Sequence, residues 1–219
     1  MQDKVFIIGG GPSLKNFDFN RLKEEDTIVT NVAVFDVPNP NYFITVDYTF
    51  LKKMVCGRLF KFSRLNIPKI FVADLHYDFM KEIDDTIVDL QHRIVYDLSV
   101  FNKVVKAKRE DGIGYTYDDF RTGLNSGYSA FQLAVILGYK EIYLMGIDLA
   151  PQRDTHYHRL YSKSKSSFDK LLKKYCGFFR QGIEQLIQEK PEIKVYSCSS
   201  VCPLNDIISY VPLERIGKC

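Results

Sequence analysis

Short runs of apolar, often β-branched residues recur along this chain, separated by longer stretches in which apolar positions fall three and four apart. Runs of four or five such residues read as strands buried on both faces, and the wider spacing reads as helices packed against them. The pattern predicts strands at Lys4–Ile8, 27–31, 42–46, Lys69–Ala73, 93–96, Glu141–Met145 and Lys194–Ser197. It predicts helices at 48–56, 78–83, 126–137 and 166–188, with 128–137 amphipathic. Strands alternating with helices are the pattern of an α/β fold: a single Rossmann-like domain over 1–219, its mostly parallel sheet covered by helices on both faces. Two segments fit this scheme poorly. Residues 101–122 are polar and carry Gly112 and Gly114, and 150–165 are rich in histidine, tyrosine and cations without periodicity. Long irregular segments in compact domains tend to carry function, which makes 150–165 a candidate lid.

Composition adds bounds. The chain has 219 residues, 46% hydrophobic and 26% charged, enough apolar content to bury a large core. A formal charge of +3 gives no basic stripe of the kind that tracks nucleic acid, so no nucleic-acid partner is expected. The cations gather instead between Arg153 and Lys174, which reads first as a solvated helix face and leaves room for peripheral membrane contact. Five cysteines in no zinc-type spacing read as reduced thiols. The first strand starts almost at once, and no apolar run approaches the roughly 20 residues that span a bilayer, so a cytoplasmic protein is expected. A homo-oligomer fits equally well.

In open α/β sheets ligands bind beyond the carboxyl ends of the strands. That rule selects the turn Gly9-Gly10-Gly11-Pro12-Ser13, then Asn31, Asp47, Asn125-Ser126-Gly127 and Gly146-Ile147-Asp148. Three glycines let the backbone turn tightly and approach a ligand, as a phosphate or ribose cradle requires. No Gly-Lys-Ser/Thr follows, and Leu14 stands where a dinucleotide fold has its third glycine, so neither a P-loop nor an NAD site is indicated. Asn125 and Ser126 lie where a helix begins, suited equally to capping it and to receiving an anion. Asp47 and Asp148 suit a ribose hydroxyl, a helix amide or a metal. His156-Tyr157-His158 in the candidate lid offers imidazoles for proton transfer.

The stretch Val5-Phe6-Ile7-Ile8-Gly9-Gly10-Gly11-Pro12-Ser13-Leu14-Lys15, Asn31, and the block from Asn125-Ser126-Gly127 through Gly138-Tyr139-Lys140-Glu141 to Gly146-Ile147-Asp148 together resemble the bacterial lipooligosaccharide sialyltransferases. The ending Ile193-Lys194-Val195-Tyr196-Ser197-Cys198 is similar too. The glycine turn and the Gly-Ile-Asp ending also resemble proteins like the archaeal 6-hydroxymethylpterin pyrophosphokinase. The first resemblance implies a glycosyltransferase that moves a sialic acid-like sugar from a cytidine monophosphate (CMP) donor to a glycan or lipid-linked acceptor. By that resemblance Gly10, Gly11 and Ser13 face CMP, and Asn31 contacts the donor nucleotide. Asn125 and Ser126 would contact the phosphate or donor sugar, and Gly146, Ile147 and Asp148 the nucleoside. His158 or His156 would be the general base, and Tyr157 or Tyr161 would bind the leaving phosphate. The chain departs from the family at Gly10 and Asp47, both asparagine there, at Ala150, a tyrosine there, and in a shorter lid. A single-phosphate leaving group calls for no metal or other cofactor. The second resemblance implies instead a phosphoryl or pyrophosphoryl transferase with magnesium on Asp47 and Asp148. A non-catalytic nucleotide-binding protein is the third reading.

Overall fold

The computed structural model describes residues 3–47, 50, 62–73, 80–83, 86–89, 94–97, 100–154, 156–157 and 165–217. In chain order its strands are β1 (Lys4–Ile8), β2 (Thr27–Thr30), β3 (Tyr42–Thr45), β4 (Lys69–Ala73), β5 (Met80–Ile83), β6 (Thr86–Asp89), β7 (Ile94–Asp97), β8 (Lys103–Lys106), β9 (Glu141–Met145), β10 (Lys194–Ser197) and β11 (Ser209–Tyr210). Eight of them form one sheet in the order β11-β10-β9-β1-β2-β3-β4-β8, with every neighbouring pair parallel. Strands β5, β6 and β7 form a separate antiparallel sheet. Two long helices are described, α1 (Ser126–Ile136) and α2 (Lys165–Glu189).

The central strands are apolar on both faces because both faces are buried. Val5, Ile7, Ile28, Ile44, Ile142 and Leu144 point to one side and pack with α1 and α2. Phe6, Ile8, Val29, Phe43, Phe71 and Met145 point to the other, where Phe50, Phe62 and Phe101 and the short 3-10 turn Asn31–Phe35 cover them. The amino ends of the strands are tied by polar contacts. Asp26 accepts from the Tyr139 hydroxyl at 3.0 Å and from Asn41 Nδ2 at 3.1 Å, and Lys4 pairs with Glu25 at 2.9 Å.

Three expectations change. The helix expected at 78–83 is not formed: Met80–Ile83 is a strand paired antiparallel with Thr86–Asp89, and so short a mixed run carries no decisive period. The segment 101–122 contains β8 and is held by α1, because Gln132 Oε1 accepts from the Gly114 N–H at 2.9 Å and the Arg121 N–H at 3.2 Å. Helix α1 is not amphipathic. Ser126 to Val135 are all buried, since the helix lies between the sheet and α2. The helix expected at 48–56 falls, apart from Phe50, outside the described residues.

Candidate functional site

Strand β1 sits between β2 and β9, so the chain leaves it toward one half of the sheet and returns on the other. A crevice opens at the carboxyl ends of β1 and β9. A cavity of about 340 Å³ lies there. Its walls come from Gly9–Gly11, Asn31, Asp47, the start of α1, residues 146–150, His156 and the first turns of α2.

The glycine turn is stitched to the end of β9. The Gly9 N–H donates to Met145 O and the Gly11 N–H to Gly146 O, each at 2.8 Å, so the β1–β9 ladder continues past both strands. A Cβ on Gly11 would lie 2.6 Å from Asp148 Oδ2 and 2.7 Å from Gly146 O, a spacing only glycine permits. Gly146 has φ +63°. Asp148, buried, accepts from the Ser13 N–H at 2.9 Å, the Ser13 hydroxyl at 2.6 Å and Gln152 Nε2 at 2.7 Å. Asp148 therefore clamps the turn, and the Ser13 hydroxyl is given to that clamp; Ser13 is not among the lining residues.

Asn31, Thr45 and Ser126 form a second knot. Asn31, at φ +50°, accepts at Oδ1 from the Thr45 hydroxyl at 2.7 Å and the Ser126 hydroxyl at 3.4 Å, while Ser126 Oγ also accepts from the Val46 N–H at 3.2 Å. This joins the ends of β2 and β3 to the start of α1. Asn31 Nδ2 makes no hydrogen bond among the described residues and lines the cavity. Asn125 caps α1, its Oδ1 accepting from the Tyr128 N–H at 3.1 Å. The N–H groups of Ser126 and Gly127 are the helix's orphan donors, and together with the Gly10 N–H they meet no acceptor among the described residues. Three residues that line the cavity thus have backbone donors without an acceptor among the described residues, two of them at the positive end of a helix dipole, which favours an anion.

Residues 154, 156 and 157 reach the same place. The Tyr157 N–H donates to Gly10 O at 3.0 Å, and Lys15 pairs with Asp154 at 3.1 Å. A Cβ on Gly10 would come within 2.9 Å of the His156 ring, which also packs on Phe168 at 5.2 Å between centroids. His156 lines the cavity. Tyr157 does not: its hydroxyl donates to Asp36 at 2.8 Å, and burial, with Asp36 beside it, raises its pKa. That hydroxyl is spoken for, contrary to the role expected of it at a leaving phosphate. His158 and Tyr161 lie outside the described residues. Asp47 lines the cavity and caps the following turn, accepting from the Phe50 N–H at its carbonyl and at Oδ1.

Sequence reasoning missed Phe168, Asp169, Leu172 and Tyr175, which α2 contributes to the wall. Their three- and four-residue spacing signals a buried helix face, and nothing in it separates a core face from a cavity wall. Among the described lining residues there are Asp47, Asp148, Asp154 and Asp169 and no lysine or arginine. No group of three or more His, Cys, Asp and Glu placed to hold a metal ion occurs among the described residues.

Sheet order and crevice make this a Rossmann-like α/β fold. Within that class it resembles particular sialyltransferases. A variant of the sialyltransferase CST-II solved in complex with CMP superposes with a TM-score of 0.54 at 17% identity, over 95% of this chain and 86% of that one. The α-2,3-sialyltransferase Cst-I from Campylobacter jejuni gives a TM-score of 0.47 at 16% identity, over 100% and 82% of the two chains. Campylobacter jejuni CstII with CMP-3FNeuAc gives 0.48 at 17%, over 96% and 87%. The likeness to the first is one of fold. No protein-family model and no curated protein matches the sequence.

Proposed function

We propose that this protein is a glycosyltransferase that moves a sugar from a CMP-activated donor to an acceptor hydroxyl. The observation that carries this reading is that Gly10, Ser126 and Gly127, whose N–H groups meet no acceptor among the described residues, line one cavity at the β1/β9 crevice. Fixed dipoles, with no lysine or arginine among the described lining residues, suit the single charge of a phosphodiester better than a diphosphate, which crowds more negative charge beside Asp47 and Asp148. The solved relative of like fold holds CMP, which supports the same assignment.

In this mechanism the donor phosphate rests on the three N–H groups, and Asn31 Nδ2 offers a hydrogen bond to the nucleoside. His156, held against Phe168 at the cavity wall, takes the proton from the acceptor hydroxyl as its oxygen attacks the anomeric carbon. The bond from that carbon to the phosphate oxygen breaks, and CMP departs with the bonding pair. The helix dipole and backbone amides stabilise the charge that develops on it. No cofactor enters these steps.

A thermal-shift series of cytidine, uridine, guanosine and adenosine mono-, di- and triphosphates, with and without magnesium, tests the donor. CMP is expected to give the largest shift, unchanged by chelator; a ligand at 100 times its Kd adds about 2.7 kcal/mol. A shift that needs magnesium and a triphosphate overturns the reading in favour of phosphoryl transfer. His156→Ala is expected to lower sugar transfer across a glycan panel by about 10²- to 10⁴-fold while CMP binding persists. Undiminished transfer in that variant removes His156 as the base.

A further inference from the structure

The face that α2 turns to the cavity carries Phe168, Leu172 and Tyr175 at helical spacing, and the last of these is unlike the other buried tyrosines. Tyr128 donates its hydroxyl to Gly112 O and Tyr139 to Asp26, and even the half-buried Tyr157 donates to Asp36. Tyr175 is only 8% exposed, yet its hydroxyl makes no hydrogen bond among the described residues. Its oxygen is not among the fully enclosed, unpartnered polar atoms of the described residues, so it keeps some access to open space. Here the residue lines the ligand cavity.

Asp47 lines the cavity with it, close enough that its charge, after burial, raises the Tyr175 pKa. The phenol therefore stays protonated into the alkaline range and keeps a donor to offer. A carboxylate beside a phenol repels a phosphate and suits a ligand hydroxyl, which accepts from the phenol and donates to the carboxylate. Depth decides which substrate supplies that hydroxyl. The cavity is open to an acceptor at Asp154, whose side chain is 51% exposed, whereas Tyr175 is almost closed off from solvent. The enclosed partner is the donor.

We propose that Tyr175 is a ligand-binding residue whose hydroxyl, next to the Asp47 carboxylate, holds a sugar hydroxyl of the donor nucleotide. This rests on the nucleotide-sugar reading above and names the group that orients the donor within the cavity. Two sugars of a CMP-sugar carry such hydroxyls, the ribose and the transferred residue, and the same contact serves either.

The test is calorimetric binding of CMP, 2′,3′-dideoxycytidine monophosphate and CMP-N-acetylneuraminic acid to the wild type and to Tyr175→Phe. The substitution removes one oxygen that bonds to no group among the described residues, so the melting temperature is expected to stay unchanged. If the contact is to the ribose, CMP affinity falls about tenfold in the variant while the dideoxy nucleotide binds both proteins alike. If it is to the transferred sugar, CMP and its dideoxy form are unaffected and CMP-N-acetylneuraminic acid alone loses about tenfold. Affinities for all three within twofold of wild type overturn the proposal, and so does an equal loss for all three accompanied by a lower melting temperature, which marks a structural tyrosine. If the wild type binds a different mononucleotide and no cytidine ligand, the CMP reading falls and the same comparison on that nucleotide and its dideoxy form decides Tyr175. A wild type that binds no nucleotide overturns both.

Discussion

Gly11 and Gly10 stand side by side, yet a methyl group means something different at each. At Gly11 it would meet a clamped carboxylate and a backbone carbonyl, neither of which can move without breaking the hydrogen bonds that join β1 to β9. Gly11→Ala is expected to cost about 1–3 kcal/mol, read as a lower midpoint in urea unfolding. At Gly10 the methyl meets the edge of the His156 ring, a side chain that can swing aside. The same experiment on Gly10→Ala should show a smaller loss. The sequence displayed the glycine turn openly, because glycine triplets after a buried strand have few other uses. It did not display how Asp148 and Ser13 are spent. By position Ser13 suited a ligand or a helix cap and Asp148 a ribose hydroxyl, a helix amide or a metal, and only the fold shows them bonded to each other across 135 residues of chain. Tyr175 was hidden for the opposite reason: a tyrosine on an apolar helix face looks like core until its hydroxyl is found facing a cavity.

Among the elements, strands were legible wherever both faces are buried. Lys4–Ile8, Lys69–Ala73 and Glu141–Met145 stand where the apolar runs place them, because a central parallel strand has no polar face to blur its outline, and Lys194–Ser197 does so with one face buried and Lys194 exposed on the other. Edges were not. Strand β8 reads Lys-Val-Val-Lys, and its two lysines are exposed because it closes one side of the sheet, so its sequence passes for a loop. Helix α1 serves stability and the site together, since its first turn presents the orphan amides while Asn125 satisfies the next. Asn125→Ala is expected to lower stability by about 1 kcal/mol in the same unfolding assay and, by fraying that turn, to weaken CMP binding. Retained binding with lowered stability would show that the amides do not need the cap to hold their position.

At the scale of the whole molecule, two buried thiols report on the two faces of the sheet. Cys198 belongs to the core on one side and Cys202 to the core on the other, and burial pushes them up to about 12 and about 11. A thiol whose pKa is higher in the folded chain than in the unfolded one, where it is about 8.5, binds more protons when folded once pH passes that value. Stability is therefore fully present below about pH 8.5 and declines as pH rises toward the folded values. The buried tyrosines Tyr128 and Tyr139, also raised by burial, extend the decline. Urea midpoints measured at pH 7.5, 9 and 10.5 should fall across the series, and a flat profile would contradict the burial of these groups. All eight strands of the large sheet run the same way, so the molecule has a working end and a foundation end. The foundation, knit by Asp26, Tyr139, Asn41 and Lys4, is as far from the cavity as the strands are long. A tether or fusion fixed to it leaves the mouth unobstructed, and a glycan too large to diffuse could be brought to an immobilised protein from the side where the strands end.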